Sequence, residues 1–188
     1  MRRIVLSLGI SLDGYIARPD GSVDFLFMPK DYSMAPFFKT IDAALMGSKT
    51  YLAGLRMSGG KINTYGIETY VLSRSLPPGE RDGLIFTNAA PHEIAASLRE
   101  RKGKNIWHMG GGQLAREFLK EDLIDEIHLG IMPKLIGAGI PLFPSGFPER
   151  HFNLLESKTY GQGMVFLRYD RSRAKSKPGA KSKLKSKH

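Results

Sequence analysis

The chain of 188 residues contains no cysteine. That absence removes disulfides, thiolate metal sites and cysteine nucleophiles, and it fits a reducing compartment. No apolar run approaches the ~18 residues that a membrane-spanning helix needs, so a cytoplasmic protein without membrane contact is expected. The five histidines lack metal-ligand spacing, and no metal is expected. Acidic residues are missing from positions 171–188, which hold eight Lys or Arg. The formal net charge of +10 therefore belongs mainly to that tail, because residues 1–170 carry 20 basic residues against 18 acidic.

What is present suffices for one domain with a proper core, at 41% hydrophobic content. Ile4, Leu6, Leu8 and Ile10 alternate as one face of a first strand. Met34, Phe37, Phe38 and Ile41 recur at helical spacing, which predicts a helix over 31–41 with Asp31 or Ser33 as N-cap and Pro36 in its first turn. Strands are expected near 42–46, 68–74, 84–87, 105–108 and 126–131, with a helix over 91–101. A closing antiparallel pair is expected over 152–160 and 163–169. His108 and His128 fall on strands as half-buried residues would. Strand and helix alternate through residue 120 and helices then stop. The fold class is α/β, a central mainly parallel sheet flanked by helices with an antiparallel C-terminal strand pair.

Three strands end in residues suited to an anion. Gly110-Gly111-Gly112 removes three side chains between a strand and the helix that begins with Gln113 and Leu114. Such a run permits left-handed dihedrals and close backbone approach, and a helix start offers unpaired N–H groups to a pyrophosphate. It equally serves a tight packing turn, and its spacing differs from the G-x-G-x-x-G fingerprint. Gly47-Ser48-Lys49-Thr50 repeats the strand-glycine-helix junction, and Ser73-Arg74 closes a further strand. In a mainly parallel sheet these ends converge on one crevice. Glycine backbones would there take a pyrophosphate, with Ser73, Arg74 and Lys49 left for a separate phosphate such as the 2′-phosphate of an NADP-type cofactor. Read alone, Arg74 is also a plain surface arginine.

With Ser11-Leu12-Asp13-Gly14-Tyr15-Ile16-Ala17, Met109-Gly110-Gly111-Gly112-Gln113-Leu114 and the segment 133–143, these motifs resemble the dihydrofolate-reductase-like family. The likeness is to stand-alone proteins similar to the C-terminal reductase domain of the bifunctional riboflavin-biosynthesis deaminase/reductase. It implies a dihydrofolate-reductase-like domain over 1–170 with NADPH as hydride donor. Ile16 and Ala17 would border the nicotinamide, Gly47, Ser48, Lys49, Thr50, Ser73 and Arg74 the phosphates and adenosine, and Gly110 to Leu114 the pyrophosphate. The implied activity is hydride transfer to a small heterocycle, as in 5-amino-6-(5-phosphoribosylamino)uracil reduction, with dihydrofolate reduction as the alternative. Relatives of this type also imply a homodimer.

On the substrate side, Pro29-Lys30-Asp31 resembles the placement of the carboxylate with which dihydrofolate reductases engage the pterin. The tryptophan-bearing loop that usually precedes it is missing, since Trp107 is the single tryptophan. Asp31 is thus either a helix cap or the acid that binds or protonates a ring nitrogen. The tail 171–188 is low in complexity and expected to be disordered. It serves either a weak, salt-sensitive nucleic-acid contact or solubility alone. A nucleotide-binding module without chemistry, carrying such a tail, is the rival from outside the enzymes.

Overall fold

The computed structural model describes residues 1–171. The tail beyond Arg171 lies outside the described residues, whereas Arg171 itself ends the last strand. Alternating apolar residues in β1 (Ile4–Ser11) make it a central strand, buried on both faces. It pairs in parallel with β7 (Asn105–His108) on one side and β8 (Glu126–Met132) on the other. Beyond β7, the strands β3 (Ile41–Gly47), β4 (Glu68–Leu72) and β6 (Leu84–Thr87) continue the parallel set. Six parallel strands therefore send their carboxyl ends to one edge of the sheet.

Antiparallel strands finish both flanks. β10 (Phe152–Thr159) and β11 (Val165–Arg171) form the expected C-terminal pair beside β8. The short β5 (Gly79–Arg81) pairs with β6. A small separate ladder joins β2 (Tyr15–Ala17) to β9 (Ile140–Pro141).

Two layers cover the sheet. On one face, α3 (Pro91–Glu100) and α4 (Gly112–Lys120) bury Ile94, Leu98, Ala115 and Phe118 against Ile4, Leu6 and Leu45. The spacing of Ala115, Phe118 and Leu119 aims one stripe of α4 inward, as an amphipathic helix requires. On the other face, α2 (Ser48–Met57) lays Tyr51 over Met46, Val71 and Phe86. Beside it, Phe37 and Phe38 pack edge-on against Trp107, each at 5.7 Å between ring centroids.

The helix expected over 31–41 shrinks to one turn, α1 (Ala35–Phe38). Its N-cap is Met34, without a side-chain cap bond, and Ser33 Oγ only accepts from the Ala35 N–H at 3.2 Å. The apolar spacing there reflects packing on Trp107 rather than a long helix, and the chain turns at Thr40 straight into β3.

Charged residues fasten the opposite edge, at the amino ends of the parallel strands. Arg2 is 6% exposed and pairs with Asp42, while its Nε donates to Lys104 O at 2.7 Å. Asp125 accepts from Ile4 N at 2.8 Å and from Arg99 at 2.6 Å. These paired charges hold the amino ends of the strands in register. No helix among the described residues is long and apolar enough to cross a membrane.

Candidate active site

A cleft of about 990 Å³ opens at the carboxyl edge. Its floor is made by the ends of β3, β4 and β7, and by residues 88–91 ahead of α3. It brings together Ile16, Ala17, Gly47, Ser48, Lys49, Thr50, Ser73, Arg74, Gly111, Gly112, Gln113 and Leu114. Gly110 lies beneath this surface rather than on it.

The helix starts decide what the cleft can hold. α2 begins after Gly47 and α4 after Gly111, both without a side-chain cap bond and both without an acidic residue in the first turn. Their leading N–H groups are therefore open to an external anion, reinforced by the positive pole of each helix. α3 is different. Pro91 removes one donor, and Glu93 Oε2 accepts from the Ala90 N–H at 2.7 Å, bringing a negative charge to that terminus. Of the three helix starts, those of α2 and α4 are the ones whose charge and open N–H groups suit an anion.

Glycine is needed at this junction for packing as well. A Cβ on Gly111, whose φ is +88°, would stand 2.7 Å from Thr50 Oγ1. One on Gly112 would stand 2.2 Å from the Pro141 carbonyl, and one on Gly110 2.7 Å from Leu8 Cδ1. The bare backbone lets the start of α4 press against β9 and face α2. Packing turn and anion cradle are the same feature here.

Cations flank the cradle. Lys49, Arg74, Arg116 and Lys120 line the cleft against one acid, Glu117. Arg116 and Lys120 are both engaged by Glu117, at 3.0 and 3.1 Å. Arg74 and Lys49 are exposed, and neither has a hydrogen bond or ion pair among the described residues. Ser73 is 7% exposed, and its Oγ accepts from the N–H groups of Ser75 and Leu76 at 3.2 and 2.9 Å. It shapes the turn that carries Arg74, and its hydroxyl also lies 3.4 Å from Ser75 Oγ.

Under the glycine turn sits His108, which is fully buried and not half-buried as its strand position predicts. Its Nδ1 accepts from the Gly110 N–H at 3.1 Å, and its ring meets Phe118 edge-on at 4.9 Å. Burial pushes its pKa down to about 4, so the ring is neutral and Nδ1 holds the turn as an acceptor.

Asp31 is not among the residues that line the cleft. Its two carboxylate oxygens accept from the Gly161 N–H at 3.0 and 3.1 Å, at the β10–β11 turn. This contact fastens the 20–40 segment beside Tyr32, whose ring meets Tyr160 at 5.0 Å. The sequence pattern also misses residues 88–91, which line the cleft through an ordinary strand-to-helix loop. Among the described residues, no group of His, Asp and Glu is placed to hold a metal ion.

Fold and cleft together define the class: a dihydrofolate-reductase-like α/β domain with a cleft outside the carboxyl ends of the parallel strands. The chain belongs to the RibD C-terminal domain family, whose sequence profile matches residues 2–166. It is 35% identical over 175 residues to YwjB of Bacillus subtilis, an uncharacterized protein, covering 91% of this chain and 99% of that one. A Shewanella sp. PV-4 structure, provisionally assigned to riboflavin biosynthesis, aligns with a TM-score of 0.77 and 30% identity, over 92% of this chain and 100% of that chain. The Thermotoga maritima deaminase/5-amino-6-(5-phosphoribosylamino)uracil reductase shares the fold, with a TM-score of 0.70 at 17% identity. That match covers 91% of this chain and 57% of the Thermotoga chain. The protein is thereby placed among reductase-like domains.

Proposed function

We propose that this protein is an NADPH-dependent reductase of a small heterocyclic substrate. One observation carries the reading: two glycine-capped helix starts without side-chain caps abut in a cleft whose cations without a partner among the described residues are Arg74 and Lys49. The residues present fit a phosphorylated dinucleotide. The first-turn N–H groups of α2 and α4 would hold the pyrophosphate, and Arg74 with Lys49 would hold a further phosphate on the adenosine side. Ile16 and Ala17 would border the reactive ring at the other end. Bound there, the cofactor supplies a hydride to an electron-poor C=N or C=O carbon.

The contribution of the chain is placement. Gly9 lets Leu26 close over the β1 backbone, because a Cβ there would lie 3.1 Å from Leu26 Cδ2. The apolar residues Leu8 and Leu26 keep water from that end of the cleft. His108, acting through Gly110, holds the glycine turn in its binding shape.

Titration calorimetry with NADPH and NADH on the unmodified chain and on Arg74→Ala tests the reading. Losing a charge-assisted contact to a phosphate costs about 1.5–3 kcal/mol, so NADPH affinity falls roughly ten- to a hundredfold while NADH affinity stays. Equal losses for the two nucleotides remove Arg74 from the 2′-phosphate role. Absence of binding by either nucleotide removes the reductase reading.

A further inference from the structure

One carboxylate ties the turn between β1 and β2 to the segment that leads into β9. Asp13 Oδ2 accepts from the N–H groups of Gly137 and Ile136 at 2.8 and 3.1 Å. Its Oδ1 accepts from the Ser11 hydroxyl at 2.5 Å, and Ser11 Oγ in turn accepts from the Tyr15 N–H at 2.9 Å. Ser11 is fully buried. Its hydroxyl, followed by the N–H groups of Gly137 and Ile136, holds the Asp13 carboxyl below its ordinary range, so the group is an ionised acceptor at neutral pH.

The tied segment, residues 134–142, lies as a strap along β2. The Leu12 N–H donates to Lys134 O at 2.8 Å and the Leu142 N–H to Gly14 O at 3.1 Å. Between them, Tyr15 and Ala17 pair with Pro141 and Ile140. Gly139 permits this approach, because a Cβ there would stand 2.4 Å from Ala17 O and 2.9 Å from Tyr15 Cγ. The outcome reaches the cleft: Ile16, Ala17 and Ile140 line it together, whereas Asp13 does not.

The two ends of the strap are held by different forces. Leu142 is fully buried in the main core, and the start of α4 packs on it, since a Cβ on Gly112 would stand 2.2 Å from Pro141 O and 3.2 Å from Leu142 O. Burial and close packing therefore fix the end beside α4. Residues 133–138 are exposed apart from Ile136, so the other end depends on its hydrogen bonds. Asp13 takes two of the N–H groups there.

We propose that Asp13 is a positioning residue of the cofactor site: its carboxylate holds the strap against β2 and so sets the wall that Ile16, Ala17 and Ile140 present to the nicotinamide. It acts through that wall and touches no cofactor atom. The tie between strap and β2 stands on the hydrogen bonds alone, and its consequence for the nicotinamide rests on the NADPH reading. Because α4 is held from the buried end of the strap, loss of Asp13 loosens the ring end and leaves the pyrophosphate end in place.

Calorimetry on the full chain tests this with NADPH against 2′-phospho-ADP-ribose, the same molecule without its nicotinamide ring. Asp13→Ala should weaken NADPH about tenfold and the truncated ligand by no more than about twofold. Asp13→Asn should stay within about threefold for both, because its amide oxygen still accepts from Gly137 and Ile136 and its NH₂ donates to Ser11 Oγ. Hydrogen exchange on the unliganded proteins reads the tie itself: Asp13→Ala should speed exchange over 136–140 and 15–17 at least about tenfold, with β8 unchanged. If Asp13→Ala fails to fold, Ser11→Ala serves in its place, with a loss of about threefold expected for NADPH alone. Equal weakening of the two ligands makes Asp13 a general stabiliser and overturns the proposal. So does unchanged exchange over 15–17. An unmodified chain that binds neither ligand removes the cofactor reading, and exchange then decides by itself whether Asp13 holds the strap.

Discussion

Acidification should destabilise this protein through one residue. His108 is fully buried, and burial lowers its pKa from 6.5 to about 4. Between those values the unfolded chain takes up a proton that the folded imidazole refuses. Stability is therefore complete above about pH 6.5, declines as the pH falls, and bottoms out near pH 4. The whole gap corresponds to about 3 kcal/mol, of which about 2 kcal/mol is already lost at pH 5. For a chain of this length that is roughly 4–8 °C in melting temperature.

Carboxylates elsewhere also titrate in acid, so the informative quantity is a difference. In His108→Gln the amide oxygen can still accept from the Gly110 N–H, but it takes no proton in this range. Urea unfolding at pH 7.5 and pH 5.0 should show the unmodified chain losing about 2 kcal/mol more than the variant. NADP⁺ affinity should follow the same direction, because a protonated Nδ1 can no longer accept from Gly110 and the turn before α4 loosens. Equal losses in the two proteins would refute the argument. They would mean that His108 is hydrated, or already charged, in the folded state.

Two further substitutions address the cradle and the covering loop. Gly111→Ala forces a side chain onto a φ of +88° and against Thr50 Oγ1, so stability should fall by about 1–3 kcal/mol. NADPH affinity should drop at least about tenfold beyond what unfolding explains, since the start of α4 moves away from α2; calorimetry below the melting range reads both effects. Asp31→Asn keeps one acceptor for the Gly161 N–H and loses the charge, so stability should change by no more than about 1 kcal/mol. Turnover in a cofactor-oxidation screen of heterocycles should stay within about twofold; a hundredfold loss at unchanged melting temperature would put Asp31 in the chemistry.

The two halves of the site differ in how far the sequence reveals them, for a physical reason. The cleft is built at strand ends, where glycine backbone and open helix starts form its surface. Local residue choice there leaves a local mark: glycine before α2, a glycine run before α4, and a serine-arginine pair after β4. The parallel topology then makes those marks converge, and both are legible without coordinates. A second, smaller cavity, lined among others by Ser7, Tyr32 and His128, leaves no such mark. Ser7 and His128 sit inside strand patterns that look complete without them, and Tyr32 follows an aspartate whose partner lies at Gly161. Their juxtaposition depends on β8 pairing with β1 and on the 20–40 segment folding across both. Phe37 and Phe38 mislead for the same reason, because helical spacing and packing on Trp107 place apolar residues alike. Junctions shaped by backbone are thus conspicuous in the sequence, whereas a cavity walled by side chains from strands far apart in the chain is not.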